Sequence, residues 1–158
     1  MLVSLIVGAL VALVAYLVIR EAGGDQLRPV ATPDVPVAPF RVDGEGDYDF
    51  DVVGEGYYQE ALEQICGGRC EDGHELETEA VLVCEDSNPH DDQAVAVAID
   101  GRKVAHLSRE DARRFRETLA SKGLVGRPVI VPALIVGGWR RERSGRVDEG
   151  SFGVKLDL

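Results

Sequence analysis

The chain has 158 residues, a formal net charge of −11 at pH 7 and a hydrophobic fraction of 45%, a fraction typical of globular proteins. A chain of this length has room for one domain with a single small core. Phosphate binding draws its affinity mainly from Lys and Arg, so the negative charge argues against a general nucleic-acid coat protein. The three cysteines argue against a secreted disulfide framework, because their number is odd, and favour a reducing compartment.

The charges are divided along the chain. From Asp47 to Asp92 there are 15 acidic residues and one basic residue, whereas from Arg102 to Arg146 there are 12 basic and 4 acidic residues. We therefore expect a domain with one acidic and one basic side. A solvated surface without a partner explains such runs equally well.

The N-terminal segment predicts a membrane anchor. From Leu2 to Ile19 there are 18 residues without a charge, which as a helix would span about 27 Å of a bilayer core that is about 30 Å thick. A cleaved signal peptide is the alternative, but no Lys or Arg precedes the segment and no clear small-x-small cleavage site follows it. We predict a single-pass membrane protein with a transmembrane helix over residues 1–20.

The flanks of this segment predict its orientation. The only nearby basic residues, Arg20 and Arg28, lie on its C-terminal side, and the positive-inside rule then places the C-terminal domain in the cytoplasm. The cysteines agree, since free thiols would be oxidised outside. The opposite orientation stays open, because two charges are few.

Residues 21–46 are predicted to form a linker. They contain a Gly-Gly pair, four prolines and scattered acids, with no helical or strand period. Such a composition is semi-extended, at about 3 Å per residue, so it could hold the domain several nanometres from the lipid.

The folded domain is predicted over residues 47–158, beginning with a strand, a helix and a pair of strands. Tyr48 to Val53 alternates as a strand does, and Tyr57 to Ile65 has apolar residues at helical spacing before a Gly-Gly stop. Glu77 to Cys84 alternates again, and Ala94 to Ile99 is a β-branched run that ends at an Asp-Gly turn.

The second half of the domain predicts more strands around a capped helix. Lys103 to Leu107 is a short strand, and Ser108 then caps a helix in a capping-box pattern that Gly123 closes. Pro128 to Val136 and Phe152 to Leu156 are strand-like and flank the polar residues 140–150, which are typical of a hairpin loop. The fold class is therefore mainly β with two short helices, a small OB-like or SH3-like barrel preceded by one transmembrane helix.

Three motifs resemble a known family. They are VVGEGYYQEAL at 52–62, EDSNPHDDQAVAV at 85–97 and DGRKVAHLSREDARRF at 100–115. In this order they resemble the HIRAN domain, an OB-like module found in Swi/Snf-type DNA-repair translocases and as a stand-alone bacterial protein. The resemblance runs from about Tyr48 to Leu158, and three motifs in order are more specific than any one of them.

The resemblance implies binding of the 3′ end of single-stranded DNA. Tyr57 matches the family's stacking aromatic, which would contribute about 1–3 kcal/mol per base. Asn88 and Asp91 match the loop that holds the terminal sugar hydroxyl, and His106 matches a position that could meet a phosphate. The remaining expected contacts in the same motifs are Tyr58, His90 and Arg109.

Some positions depart from the family pattern. His90 stands where a Tyr is common, Gly56 replaces a basic residue, and Asp92 replaces a basic or small one. These changes remove positive charge from the edge that would meet phosphate, so we expect low affinity for DNA.

Each of these residues also has a purely structural interpretation. The two tyrosines, Tyr57 and Tyr58, could be helix-start and core contacts, which is the commoner case for aromatics. The N-P-x-D stretch from Asn88 to Asp91 is also what a turn requires. A histidine at a strand end, as at His106, is more often hydrogen-bonded within the fold than a ligand.

A structural zinc site is a minor alternative. Cys66, Cys70 and His74 recur at four-residue steps, and Cys84 or His90 could supply a fourth ligand. The spacing is not standard, and glycines interrupt any helix that would align these groups. Buried reduced cysteines are the more common outcome, and we expect no other cofactor.

No catalytic motif accompanies these features. The chain has no nucleophile elbow, no phosphate-cradling glycine loop with its Lys, and no helicase motor motif. We therefore expect a binding module and not an enzyme. Its partner is either a nucleic-acid end or another protein, and the two differ in whether the basic residues or the acids border Tyr57, Asn88 and His106.

Overall fold

The structure, a computed structural model, describes residues 38–158. The predicted transmembrane helix and most of the predicted linker lie outside the described residues. Within residues 38–158, no helix has both the length and the hydropathy of a membrane span.

Residues 38–158 form nine strands, one 3₁₀ helix and two α-helices. The strands are β1 Phe40–Arg41, β2 Phe50–Asp51, β3 His74–Cys84, β4 Val95–Ile99, β5 Arg102–His106, β6 Val129–Gly137, β7 Arg140–Arg143, β8 Arg146–Glu149 and β9 Phe152–Leu156. The 3₁₀ helix is Glu55–Tyr58, and the α-helices are α1 Gln59–Cys66 and α2 Arg109–Ser121.

The main sheet curls into a barrel-like shape. Its strand order is β2-β9-β6-β3-β4-β5, with β1 pairing in parallel beside the start of β6. Val53, which follows β2, pairs with His106 at the end of β5, through N–H to C=O distances of 2.8 and 2.9 Å. The last strand in this order thus returns to the end of the first through a single bridge. The mainly β, two-helix, barrel-like prediction is confirmed.

The core follows from strand alternation. On β6 the odd-numbered residues from Val129 to Ile135 are buried and the even-numbered ones are only partly buried, as a two-residue period requires. On β9 the even-numbered residues face the same core, from Phe152 to Leu156, as the sequence predicted. Leu62 from α1 and Leu119 from α2 are buried in the same core.

The second helix matches its sequence signals. Ser108 Oγ accepts a hydrogen bond from the Asp111 N–H at 3.1 Å, which satisfies one of the free amides at the helix start. Helix α2 ends at Ser121, and Gly123 adopts φ +67° just beyond it. The predicted cap and stop are both confirmed.

The first helix and the first strand differ from their predictions. The helix predicted from Tyr57 to Ile65 is instead a 3₁₀ turn followed by α1, because Gly54 takes a left-handed φ of 88° and starts the tighter turn earlier. The strand predicted from Tyr48 to Val53 is only Phe50–Asp51. Tyr48 has a φ of 45°, which breaks the extended conformation.

The polar residues 140–150 are more ordered than a loop. They form the antiparallel pair β7 and β8, in which Arg140 lies opposite Glu149 and Arg143 opposite Arg146. The turn between them places Ser144 and Gly145 at positive φ, the geometry of a tight hairpin turn.

The end of the predicted linker packs on the domain. Phe40 pairs with Val129, and the buried carboxylate of Asp157 accepts hydrogen bonds from the Glu45 and Gly46 N–H groups at 3.1 and 2.5 Å. We call residues 38–46 the N-terminal strap. Its contacts are made with the end of the chain, so no local pattern within the strap predicts them.

Candidate functional site

The first and third motifs meet at one end of the barrel. The 3₁₀ helix packs against β5, and the Tyr58 ring lies 6.2 Å from the His106 ring, centre to centre, at an angle of 50°. The pairing of Val53 with His106 holds this contact from the backbone side. Burial and the nearby Glu85 carboxylate raise the pKa of Tyr58.

Glu85 joins the second motif to the third. Its side chain is only 10% exposed and contacts Lys103 Nζ, His106 Nε2 at 3.0 Å and the Asn88 amide at 2.9 Å. Burial disfavours the charged carboxylate, but the hydrogen bonds from His106, Lys103 and Asn88 outweigh burial and lower the pKa of Glu85 to about 2. Glu85 is therefore a carboxylate at neutral pH and holds the loop that follows it to β5.

Residues 85–93, which we call the binding loop for the role that the resemblance implies, are shaped by two side-chain turns. Asn88 Oδ1 accepts a hydrogen bond from the His90 N–H at 2.9 Å, and Asp91 Oδ1 accepts one from the Gln93 N–H at 3.0 Å. Both polar atoms of the Asn88 amide are thus engaged within the loop. Asn88 positions the loop and has little left to offer a ligand.

The start of α2 lies beside the binding loop. Arg109 Nε is 3.7 Å and Arg113 Nη2 is 3.9 Å from the Asp91 carboxylate. Further along the helix, Arg116 donates to the backbone carbonyls of Gln93 and Ala94 at 2.8 and 3.0 Å. Basic residues of the Arg102 to Arg146 run therefore border the loop.

Three of the seven predicted site residues are exposed to solvent. Tyr57 is 87% exposed, the Arg109 side chain is 80% exposed, and His90 is exposed without a side-chain hydrogen bond inside residues 38–158. The other four, Tyr58, Asn88, Asp91 and His106, make the internal contacts described above. The predicted site residues thus comprise an exposed aromatic, an exposed arginine and an exposed histidine, together with four residues that make contacts within the fold.

Three residues of this site are not among those predicted from the sequence: Glu85, Lys103 and Arg113. Glu85 acts on residues 18 and 21 positions further along the chain, so its role depends on strand pairing. Its only local signal is its place as the first residue of the second motif, directly after β3.

The zinc candidates make contacts within the fold. Cys70 Sγ lies 3.0 Å from the Gly73 carbonyl and His74 Nε2 lies 2.9 Å from the Gly68 carbonyl, while Cys66 and Cys84 pack against the core. Burial raises the pKa of both core thiols. In the part of the chain that the structure describes, no group of three or more His, Cys, Asp or Glu is arranged to hold a metal ion, and the zinc set stays a prediction.

The fold and the site define a class of protein, a small barrel-like β domain with an exposed aromatic on its 3₁₀ helix and a polar surface loop joined to β5 through Glu85. No family model, curated protein or solved structure matches the chain. The site geometry and the three motifs are therefore the support for a function.

Proposed function

We propose that this protein is a membrane-tethered, HIRAN-like binding module for nucleic acid, with the 3′ end of single-stranded DNA as its ligand. The proposal includes an OB-like barrel, no catalytic step and no cofactor. It also includes the N-terminal helix as the anchor and the cytoplasm as the location of the domain.

One observation carries the proposal: the exposed Tyr57 lies on the 3₁₀ helix that packs against β5, and Glu85 joins β5 to the loop that carries the exposed His90. Arg109, also exposed, lies beside that loop at the start of α2. A flat aromatic with no neighbour over its face is a stacking platform for a base. Arg109 and His90 are donors for phosphate oxygens at the adjoining backbone. An aromatic that is 87% exposed contributes little to the core, which weakens the structural interpretation of Tyr57.

The contacts refine the expected roles. Tyr57 would stack on the terminal base, and Arg109 with His90 would meet the phosphate. Asp91 retains acceptor capacity on its carboxylate for a sugar hydroxyl, whereas Asn88 and His106 act as positioning residues through the binding loop and Glu85. The paired charges around Asp91 agree with the expectation of modest affinity.

A protein-interaction module remains the second candidate. Glu85 and Asp91 offset the cations that face them, so the net positive potential at the site is small. A polar loop of this kind suits a peptide or a protein surface as well as a nucleic acid.

The test is a titration of labelled single-stranded oligonucleotides into the full chain in zwitterionic detergent at low salt. Strands with a free 3′ hydroxyl should bind more tightly than strands carrying a 3′ phosphate. Tyr57→Ala should weaken binding by about tenfold or more through loss of stacking, whereas Tyr57→Phe should bind as the wild type does.

Arg109 offers a matched control. Arg109→Ala should weaken binding and reduce its salt dependence, while Arg146→Ala on the β7–β8 hairpin, an arginine of similar exposure at 83%, should not. Equal binding by wild type and Tyr57→Ala, or no preference for a free 3′ end, would favour the protein-interaction candidate.

A further inference from the structure

Part of strand β3 has no neighbouring strand on one of its two sides within residues 38–158. Strand β3 has 11 residues, and it pairs with β6 from His74 to Leu82 but with β4 only from Val81 to Cys84. Strand β4 stops at Ile99 because Asp100 and Gly101 turn the chain back with φ of 49° and 70°. Residues 75–79, which we call the open edge, therefore have no strand on the side of β4 among residues 38–158.

The backbone of the open edge has free hydrogen-bonding groups. In an antiparallel ladder, alternate residues direct their N–H and C=O groups to opposite sides. On the open edge the groups directed towards β6 have partners, and those directed the other way have no backbone partner among residues 38–158. Five residues extend for about 17 Å, the length of a typical strand.

The exposure of Leu76 also shows that a neighbouring strand is absent from the open edge within residues 38–158. Leu76 shares its face with the buried Ala80 and Leu82, yet it is 37% exposed. It lies near the core side of the sheet, but no strand beyond the edge covers it. A strand added here would bury Leu76 as β4 buries Leu82.

The charges decide what can pair there. Glu75, Glu77 and Glu79 occupy alternate positions on the other face, and all three are exposed. Glu79 is paired with Arg41, while Glu75 and Glu77 have no ion pair within residues 38–158. Two copies pairing edge to edge would bring these carboxylates together, which is unfavourable. The complementary occupant is an extended segment with Lys or Arg at alternate positions and apolar residues between them.

We propose that the open edge of β3 binds an extended, basic segment of a protein partner by β-strand addition. Backbone hydrogen bonds would supply affinity, while Glu75, Glu77 and Leu76 would select basic and apolar side chains at alternate positions. This surface is distinct from the proposed DNA site and does not depend on it. Failure of oligonucleotide binding would leave this proposal unchanged.

The test uses a peptide of about seven residues that alternates lysine with valine or threonine, added to the ¹⁵N-labelled full chain in zwitterionic detergent. Amide shifts should change at residues 75–79, and a peptide with glutamate in place of lysine should cause none. Glu75→Lys with Glu77→Lys should weaken binding at least tenfold. Glu117→Lys with Glu142→Lys, the same charge change at exposed sites elsewhere, should weaken it much less.

Backbone methylation of the peptide separates strand addition from simple charge attraction. Methyl groups on one alternate set of peptide nitrogens should abolish binding, and methyl groups on the other set should be tolerated. Equal binding by both methylated peptides, shift changes away from β3, or no binding by the unmodified peptide would overturn the proposal. This comparison leaves the protein unaltered, so it holds even if a charge variant fails to fold.

Discussion

At the scale of single residues, Glu85 organises the candidate site. Its side chain, at the start of the binding loop, contacts Asn88 within the loop and Lys103 and His106 on strand β5. A buried carboxylate is costly unless cations and donors surround it, and here they do. The pKa of Glu85 is lowered in the folded state because these hydrogen bonds outweigh the effect of burial.

Glu85→Gln should destabilise the protein at neutral pH. The folded pKa of about 2 lies below the ordinary value of 4.5, so the contribution of Glu85 is fully present above about pH 4.5 and is lost as the pH falls towards 2. The contribution at pH 7 is at most about 3 kcal/mol. Denaturant unfolding of both chains at several pH values should show their stability difference shrinking between pH 5 and pH 2.

Glu117→Gln is the control for this experiment. Glu117 is exposed on α2, so its replacement should change the unfolding free energy by less than about 0.5 kcal/mol at any pH. A Glu85→Gln difference that is as large at pH 3 as at pH 7 would contradict the role assigned to Glu85.

At the scale of secondary-structure elements, the site depends on how α2 begins. The Ser108 cap fixes the first turn of the helix, and that turn carries Arg109 next to Asp91. The cap therefore contributes both to the stability of the helix and to the position of an exposed arginine.

Ser108→Ala should lower the unfolding free energy by about 1 kcal/mol, because the Asp111 N–H loses its acceptor. Ser108→Thr should retain most of the stability, since its hydroxyl also caps a helix start and can keep the contact with the Asp111 carboxylate. Thermal unfolding of the three chains measures this. If Ser108→Thr lost as much stability as Ser108→Ala, the cap would not be the cause.

At the scale of the whole molecule, the two ends of the described chain are joined by hydrogen bonds. Asp157 lies next to the last residue and binds the N-terminal strap through the Glu45 and Gly46 amides. A Cβ added at Gly44 would lie 2.0 Å from an Asp157 carboxylate oxygen, so only glycine fits there without rearrangement. The strap thus ties the predicted membrane linker to the barrel.

Asp157→Ala should release the strap, because the Glu45 and Gly46 amides lose their acceptor, at a cost of about 1–3 kcal/mol. Amide hydrogen exchange should become faster for residues 42–46 than in the wild type, with little change on β3 and β6. Asp51→Ala, which removes an exposed ion pair with Lys155, should leave the exchange of residues 42–46 as it is. Unchanged exchange in Asp157→Ala would contradict the role of this carboxylate.

Elements with strong local signals can be predicted from the sequence alone. The capped helix α2 and strands β4, β5, β6 and β9 come from periodicity, caps and turn residues, which act over a few positions. The three motifs predict a site at Tyr57, the binding loop and His106, and that site stays a prediction.

Features that depend on contacts between distant residues are seen only in the folded structure. The strap needs Asp157 from the far end of the chain, the Glu85 contacts need β3 paired beside β4 and β5, and the open edge exists because β4 is shorter than β3. Such features arise from strand pairing across the chain, and the short-range patterns that predict a strand do not specify its partner.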